Sequence, residues 1–105
     1  MNFHEFFGMV RERFIAADVS GIEGKLAIQI NLTGEAAGAF YIEVKDKKLS
    51  IEPYTYHDRD VAITVSDVNF KKLMDGKADP VLLFTMGKLR VEGDLGKALE
   101  LKRFL

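Results

Sequence analysis

The chain contains no cysteine, which excludes a disulfide framework, a thiolate nucleophile and a cysteine zinc site, and fits a reducing compartment. It has two histidines, His4 and His57. His4 belongs to the polar side of the first predicted helix and has no reason to converge with His57, so neither a metal site nor a cofactor is expected. An excess of one charge is also missing, because fifteen Lys and Arg stand against sixteen Asp and Glu, for a net charge of −1. No basic surplus exists to drive counterion release from nucleic acid or to hold an anionic membrane, and no nucleic-acid partner is expected. No apolar run approaches the roughly 20 residues of a membrane-spanning helix. Met1–Phe7 lacks the basic and continuous apolar regions of a signal peptide, and Lys102-Arg103-Phe104-Leu105 matches neither a peroxisomal nor an ER-retention signal. These absences predict a soluble, cytoplasmic protein.

What is present is ordinary globular material. With 105 residues, 48% apolar and 30% charged, the sequence predicts a single domain over residues 1–105 with one hydrophobic core. Phe3, Phe6, Phe7, Val10, Phe14 and Ile15 recur at three- and four-residue steps and predict an amphipathic helix of about four turns. Beyond Gly24 the period becomes two. Leu26, Ile28, Ile30 and Leu32 alternate with Lys25, Ala27, Gln29 and Asn31, which puts one face in the core and one in water. Alternation resumes at Phe40, Ile42 and Val44, crosses Asp46-Lys47, and continues to Leu49 and Ile51, predicting an antiparallel meander. Pro53–Asp58 carries no period and reads as a surface loop, after which Val61, Ile63 and Val65 form a fourth strand.

The last third is helical with one more strand. Ser66 and Asp67 supply an N-cap and a first-turn acid to a short helix bearing Phe70, Leu73 and Met74 and ending at Gly76. Asp79-Pro80 opens a second helix, Val81-Leu82-Leu83-Phe84-Thr85-Met86, which is apolar on nearly every side until Gly87. Leu89 and Val91 belong to a fifth strand, and Asp94 caps a closing helix with Leu95, Ala98, Leu99 and Phe104 on its apolar side. Single-faced strands with this element order predict an α+β fold, in which helices cover one face of a five-stranded, mostly antiparallel sheet.

The segment from Asp60 to Leu105 resembles the sterol carrier protein 2 family. Phe70-Lys71-Lys72-Leu73-Met74-Asp75-Gly76-Lys77-Ala78-Asp79-Pro80 is similar to the family's helix, Gly-Lys turn and acid-proline cap. Phe84-Thr85-Met86-Gly87-Lys88-Leu89-Arg90-Val91-Glu92-Gly93-Asp94 resembles its aromatic-x-x-Gly-Lys-aliphatic-x-aliphatic-x-Gly-Asp signature. The resemblance implies helices enclosing an apolar cavity for lipid, and no catalytic residues.

Other motifs have plainer readings. His57 with Asp58 and Asp60 reads as loop and turn chemistry, and neither Ser50 nor Ser66 lies in a nucleophile elbow. Gly93-Asp94-Leu95-Gly96 has the shape of an RNA-clamping loop, but Asp94 would face the phosphates, so the glycines mark a strand end and a tight helix entry. Gly34 and Gly38 lie between antiparallel strands and make no dinucleotide fingerprint. The expected function is noncatalytic binding of an apolar small molecule such as a fatty acyl chain, an isoprenoid or a sterol. The ligand wall is expected from Val81, Leu82, Leu83, Phe84 and Met86, with Ile28, Ile30, Phe40, Ile42, Ile63, Leu99 and Phe104 as supporting positions; ordinary core packing is the competing reading for all of them. The alternative function is a protein-interaction or accessory module, acting as a homodimer or with a partner enzyme of lipid or quinone biosynthesis.

Overall fold

A computed structural model describes residues 1–105. Helix α1 (Phe3–Phe14) leads into strands β1 (Lys25–Thr33), β2 (Gly38–Lys45), β3 (Lys48–Glu52) and β4 (Val61–Ser66). Helices α2 (Asp67–Met74) and α3 (Pro80–Thr85), strand β5 (Leu89–Gly93), helix α4 (Leu95–Ala98) and a 3-10 helix (Leu99–Arg103) complete the chain. One open sheet runs in the order β3-β2-β1-β4-β5. The expected meander is present, and β4–β5 is also antiparallel. The single parallel pair is β1–β4, so the fold is the expected α+β class with a mixed sheet.

The parallel pair explains a departure from the expected wet face of β1. After β3 at one edge, the chain must travel back across β2 and β1 before β4 can start. Residues 53–60 make that crossing over the outer face of the sheet. There the Tyr56 amide donates to Gln29 Oε1 at 2.9 Å and its hydroxyl donates to Glu43. Ala27, Gln29 and Ala62 are therefore buried although their parity points them away from the helices. Asp60 closes the crossing, its carboxylate accepting from the Ala27 amide at 2.8 Å and facing Lys97 at 3.5 Å.

Local signals act as the sequence dictates. Ser66 Oγ accepts from the Asn69 amide, Asp79 Oδ1 from the Val81 amide and Asp94 Oδ1 from the Lys97 amide, satisfying helix-start donors that would otherwise go unpaired. Asn2 and Glu5 add a reciprocal capping box to α1. The β2–β3 turn places Asp46 and Lys47 at φ of 52° and 64°, the left-handed pair that a two-residue hairpin requires. Lacking glycine there, the turn is held by Lys47 Nζ, which donates to the Ser20 and Ile22 carbonyls at 2.8 and 2.9 Å.

The core lies between the helices and the inner sheet face, and Phe70 of α2 is its junction. Its ring centroid lies 6.3 Å from Phe6, 6.0 Å from Phe14 and 6.0 Å from Phe40. Phe14 in turn reaches Phe104 at 5.6 Å. Ile15, expected on the inner face of α1, instead forms its exposed C-cap. The closing helix also differs from expectation: it tightens to 3-10 at Leu99, and the buried residues become Ala98, Leu101 and Phe104, one every three residues. Leu99 is thereby turned outward, half exposed.

Two predictions follow from these contacts. Replacing Phe70 by Ala removes a wholly buried ring shared by three elements and should cost about 3–5 kcal/mol, read from urea denaturation. The second concerns Asp75, which bridges α2 to α1 by accepting from Lys71 and from Arg13. These cations hold its carboxyl at about 2, below the ordinary 3.8. A depressed carboxyl stabilises the fold above its unfolded value and loses that effect as pH falls through its folded value. The stability advantage of wild type over Asp75→Asn should therefore be full above pH 3.8, fade toward about 2 and shrink with salt; carbon-detected NMR titration of the carboxyl checks the midpoint.

Candidate functional site: an open apolar groove

The inner sheet face is not covered uniformly. Over β1 and β2 it is sealed by the phenylalanines of α1 and α2, whereas over β4 and β5 the covering elements are the short α3 and the C-terminal segment. Between them lies a groove of about 310 Å³. Its floor is Ile63 of β4 with Leu89 and Val91 of β5, which share a face because Ile63 pairs with Val91 and Val65 with Leu89. Pro80, Val81, Phe84 and Thr85 form one wall, and Leu95, Ala98, Leu99, Leu101 and Lys102 form the other. Val81, Phe84, Leu95 and Leu99 are 44–53% exposed, so the groove is open to solvent rather than enclosed. Such a lining offers dispersion and desolvation, with Thr85 and Lys102 as its polar atoms near the edge.

Of the expected ligand-wall residues, Val81, Phe84, Ile63 and Leu99 converge on the groove. Leu83 turns the other way and is the single buried residue of α3. Leu82 and Met86 stand outside the groove, 56% and 54% exposed. Ile28, Ile30, Phe40 and Ile42 are fully buried, and Phe104 packs on Phe14; these five fill the core beside the groove. Sequence reasoning did not select Leu89, Val91, Leu95, Ala98 or Leu101 as site residues. The first two were findable, since they share the alternation of Ile63 once β4 and β5 are paired. Leu101 was hidden by reading a period of 3.6 where the chain uses 3.

The polar candidates lie elsewhere. His57, Arg59, Asp60 and Glu92 line a shallow depression at the start of β4 and end of β5, and Asp60 is engaged with β1. Gly93 ends β5, the strand-end role expected of it, while Asp94 caps α4 and Gly96 lies in that helix's first turn.

A mixed sheet covered by helices on one face, with an apolar groove over β4 and β5, defines the class: an open-sheet α+β domain with a binding groove. The chain belongs to the SCP-2 sterol transfer family, whose family model matches residues 11–105. It is 35% identical over 80 residues to hydroxysteroid dehydrogenase-like protein 2 of Xenopus tropicalis, covering 73% of this chain and 19% of that protein. It is also 35% identical over 69 residues to human sterol carrier protein 2, covering 66% of this chain and 13% of that one. The chain thus spans about a fifth or less of the length of these two relatives. Among solved structures it is similar to sterol carrier protein 2 like 2 of Aedes aegypti (TM-score 0.71, 19% identity, 97% and 94% of the two chains). The palmitated form of that protein gives a TM-score of 0.70 at 20% identity, with 97% and 92% coverage. The ubiquinone synthesis protein UbiJ-SCP2 gives 0.61 at 13% identity, with 91% and 74% coverage. At these identities the structures establish the fold.

The anchoring of the two walls differs. The C-terminal wall buries Ala98, Leu101 and Phe104, whereas α3 buries only Leu83. Amide exchange should therefore be faster in Val81–Met86 than in Leu95–Phe104, and an added long-chain fatty acid should slow it selectively; equal protection across both walls would remove α3 as the more mobile wall.

Proposed function

We propose that this chain is a noncatalytic binding module that carries or presents one slender apolar molecule, such as a fatty acyl or isoprenoid chain, in the groove between α3 and the C-terminal segment. The observation that carries the reading is the apolar groove itself, floored by the inner sheet face in a member of a sterol transfer family. Its volume of about 310 Å³ stands at the lower end of ligand pockets, roughly 300–1,000 Å³, which favours a flexible chain over a broad ring system unless α3 moves. Each buried methylene contributes roughly 0.8 kcal/mol, so a long acyl chain can offset an association cost of about 4–15 kcal/mol. The palmitated state of the Aedes aegypti protein supports the same ligand chemistry, and the absence of cysteine supports a cytoplasmic setting.

A second reading is an accessory role beside an enzyme. It is favoured by the likeness to a ubiquinone synthesis protein and by relatives named as dehydrogenase-like, of which this domain matches only a small share. In that role the single domain of residues 1–105 would hold the apolar molecule for a partner or a second copy.

The test is titration with a fluorescent long-chain fatty acid, expected to saturate at one per chain and to be displaced by unlabelled acyl compounds. Phe84→Asp should weaken binding at least about tenfold, since it places a charge on a wall from which the bound chain excludes water, while Met86→Leu should change it little. Phe84 is 44% exposed, so circular dichroism of the variant should remain native. A titration without saturation would end the carrier reading.

A further inference from the structure

We propose that the chain pairs with a second copy of itself through the free edge of β5, making one sheet of two and joining two groove floors. The edge strands are β3 and β5, and an edge strand presents unpaired main-chain donors and acceptors that can template another strand. On β5 the register fixes which residues present them. The Asp94 amide donates to the Asp60 carbonyl, and the pairs Ala62–Glu92 and Thr64–Arg90 continue that contact two residues at a time. Arg90 and Glu92 therefore bond β4, and the amides and carbonyls of Leu89, Val91 and Gly93 point away from the sheet. The opposite edge is closed, because the Ile51 carbonyl of β3 accepts from Arg11 Nε at 3.2 Å. No such side chain closes β5: the flanking polar side chains, Thr85 and Asp94, bond within α3 and α4.

Charge selects a second copy as the occupant. Arg90 and Glu92 lie on the outer sheet face, both exposed, and neither enters an ion pair. An antiparallel copy related by a two-fold axis at Val91 sets Arg90 opposite Glu92 of the second copy, and Glu92 opposite its Arg90. An axis at Arg90 or at Glu92 would oppose like charges instead, so the charges favour one register. In that register the two Val91 residues exchange amide-to-carbonyl bonds, and Leu89 exchanges them with Gly93 of the second copy. Lysine is the usual guard of an edge against pairing, whereas β5 carries one charge of each sign in a self-complementary order.

The groove changes with the pairing. Leu89 and Val91 belong to its floor, and directly opposed residues of an antiparallel pair present their side chains on the same face. The two Val91 side chains thus meet at the axis, and the two floors run together into one apolar strip. A five-residue strand gives a contact only about 17 Å long at 3.4 Å per residue, less than the area a permanent dimer buries, so the pairing is weak and concentration-dependent. The inference goes beyond ligand carriage and needs no ligand, since it rests on the edge and outer face of β5.

Sedimentation equilibrium of the full chain tests it and should show a shift from monomer to dimer between micromolar and millimolar concentration. Exchange of the Val91 amide should slow over the same range, while that of the Arg90 amide, already bonded to β4, stays constant. Arg90→Glu or Glu92→Arg should each weaken association at least about tenfold, because each makes both cross-strand pairs like-charged. An equimolar mixture of these two variants should associate at close to wild-type strength as a heterodimer, and the chain carrying both substitutions should dimerise again. Both side chains are exposed, so circular dichroism of the variants should remain native; were one single variant to misfold, the doubly substituted chain and the Val91 amide would still decide. A monomer up to millimolar concentration would overturn the proposal and leave the edge to a strand of another protein. A dimer unmoved by either single substitution, or a mixture no tighter than its components, would overturn it by placing the contact elsewhere.

Discussion

The ring of Phe70 is the point on which the arrangement of layers depends. It sits at the second turn of α2 and touches Phe6 and Phe14 of α1 and Phe40 of β2. The first helix of the chain is thereby fixed to an element more than fifty residues later. Through Phe14 the same contacts reach Phe104, so both ends of the chain converge on one aromatic cluster. Rings of this size bury large apolar areas and pack at defined angles, which leaves little freedom in how α1 and α2 lie over the sheet.

That rigidity decides where a ligand can go. Since α1 and α2 fill the space above β1 and β2, the side chains of Ile28, Ile30, Phe40 and Ile42 are committed to packing. Over β4 and β5 no comparable ring descends from above. The only buried side chain of α3 is Leu83, and the C-terminal wall places its large aromatic, Phe104, toward α1. An apolar floor with half-exposed walls is the consequence. Keeping it costs stability, because Val81, Phe84, Leu95 and Leu99 expose apolar surface that closer packing would bury. Such an arrangement is intelligible if the exposed surface is covered when a ligand binds.

The fold was legible to the extent that it rests on short-range rules. The alternation of β1 to β5, the caps at Ser66, Asp79 and Asp94, and the Gly-terminated α2 and α3 all depend on residues within a few positions of one another. Burial of Ala27 and Gln29 was not legible, because it comes from a loop thirty residues away crossing the outer sheet face. The site divided along the same line. An apolar helix at Val81–Met86 could be read directly, but its side chains part in three directions: Val81 and Phe84 into the groove, Leu83 into the core, Leu82 and Met86 into solvent. Only the position of α3 against β5 separates these fates. Hydropathy alone treats the five residues alike.

The way α3 is terminated bears on how the groove widens. A six-residue helix is too short to persist by propensity, and one buried side chain adds little. Its ends supply what its faces do not. Asp79 caps the first turn, and Thr85 Oγ1 donates to the Val81 carbonyl. At the far end, the Gly87 amide donates to the Phe84 carbonyl and the Lys88 amide to the Leu83 carbonyl, a Schellman closure that needs the left-handed φ of +75° found at Gly87. The same closure ends α2, where Gly76 at +71° precedes the α2–α3 link. These bonds are local to α3 and its flanks, and one buried side chain, Leu83, ties the helix to the core, so local opening of α3 leaves the rest of the fold in place. Widening the groove then requires withdrawal of Leu83 and no unfolding of the sheet or of the Phe70 cluster.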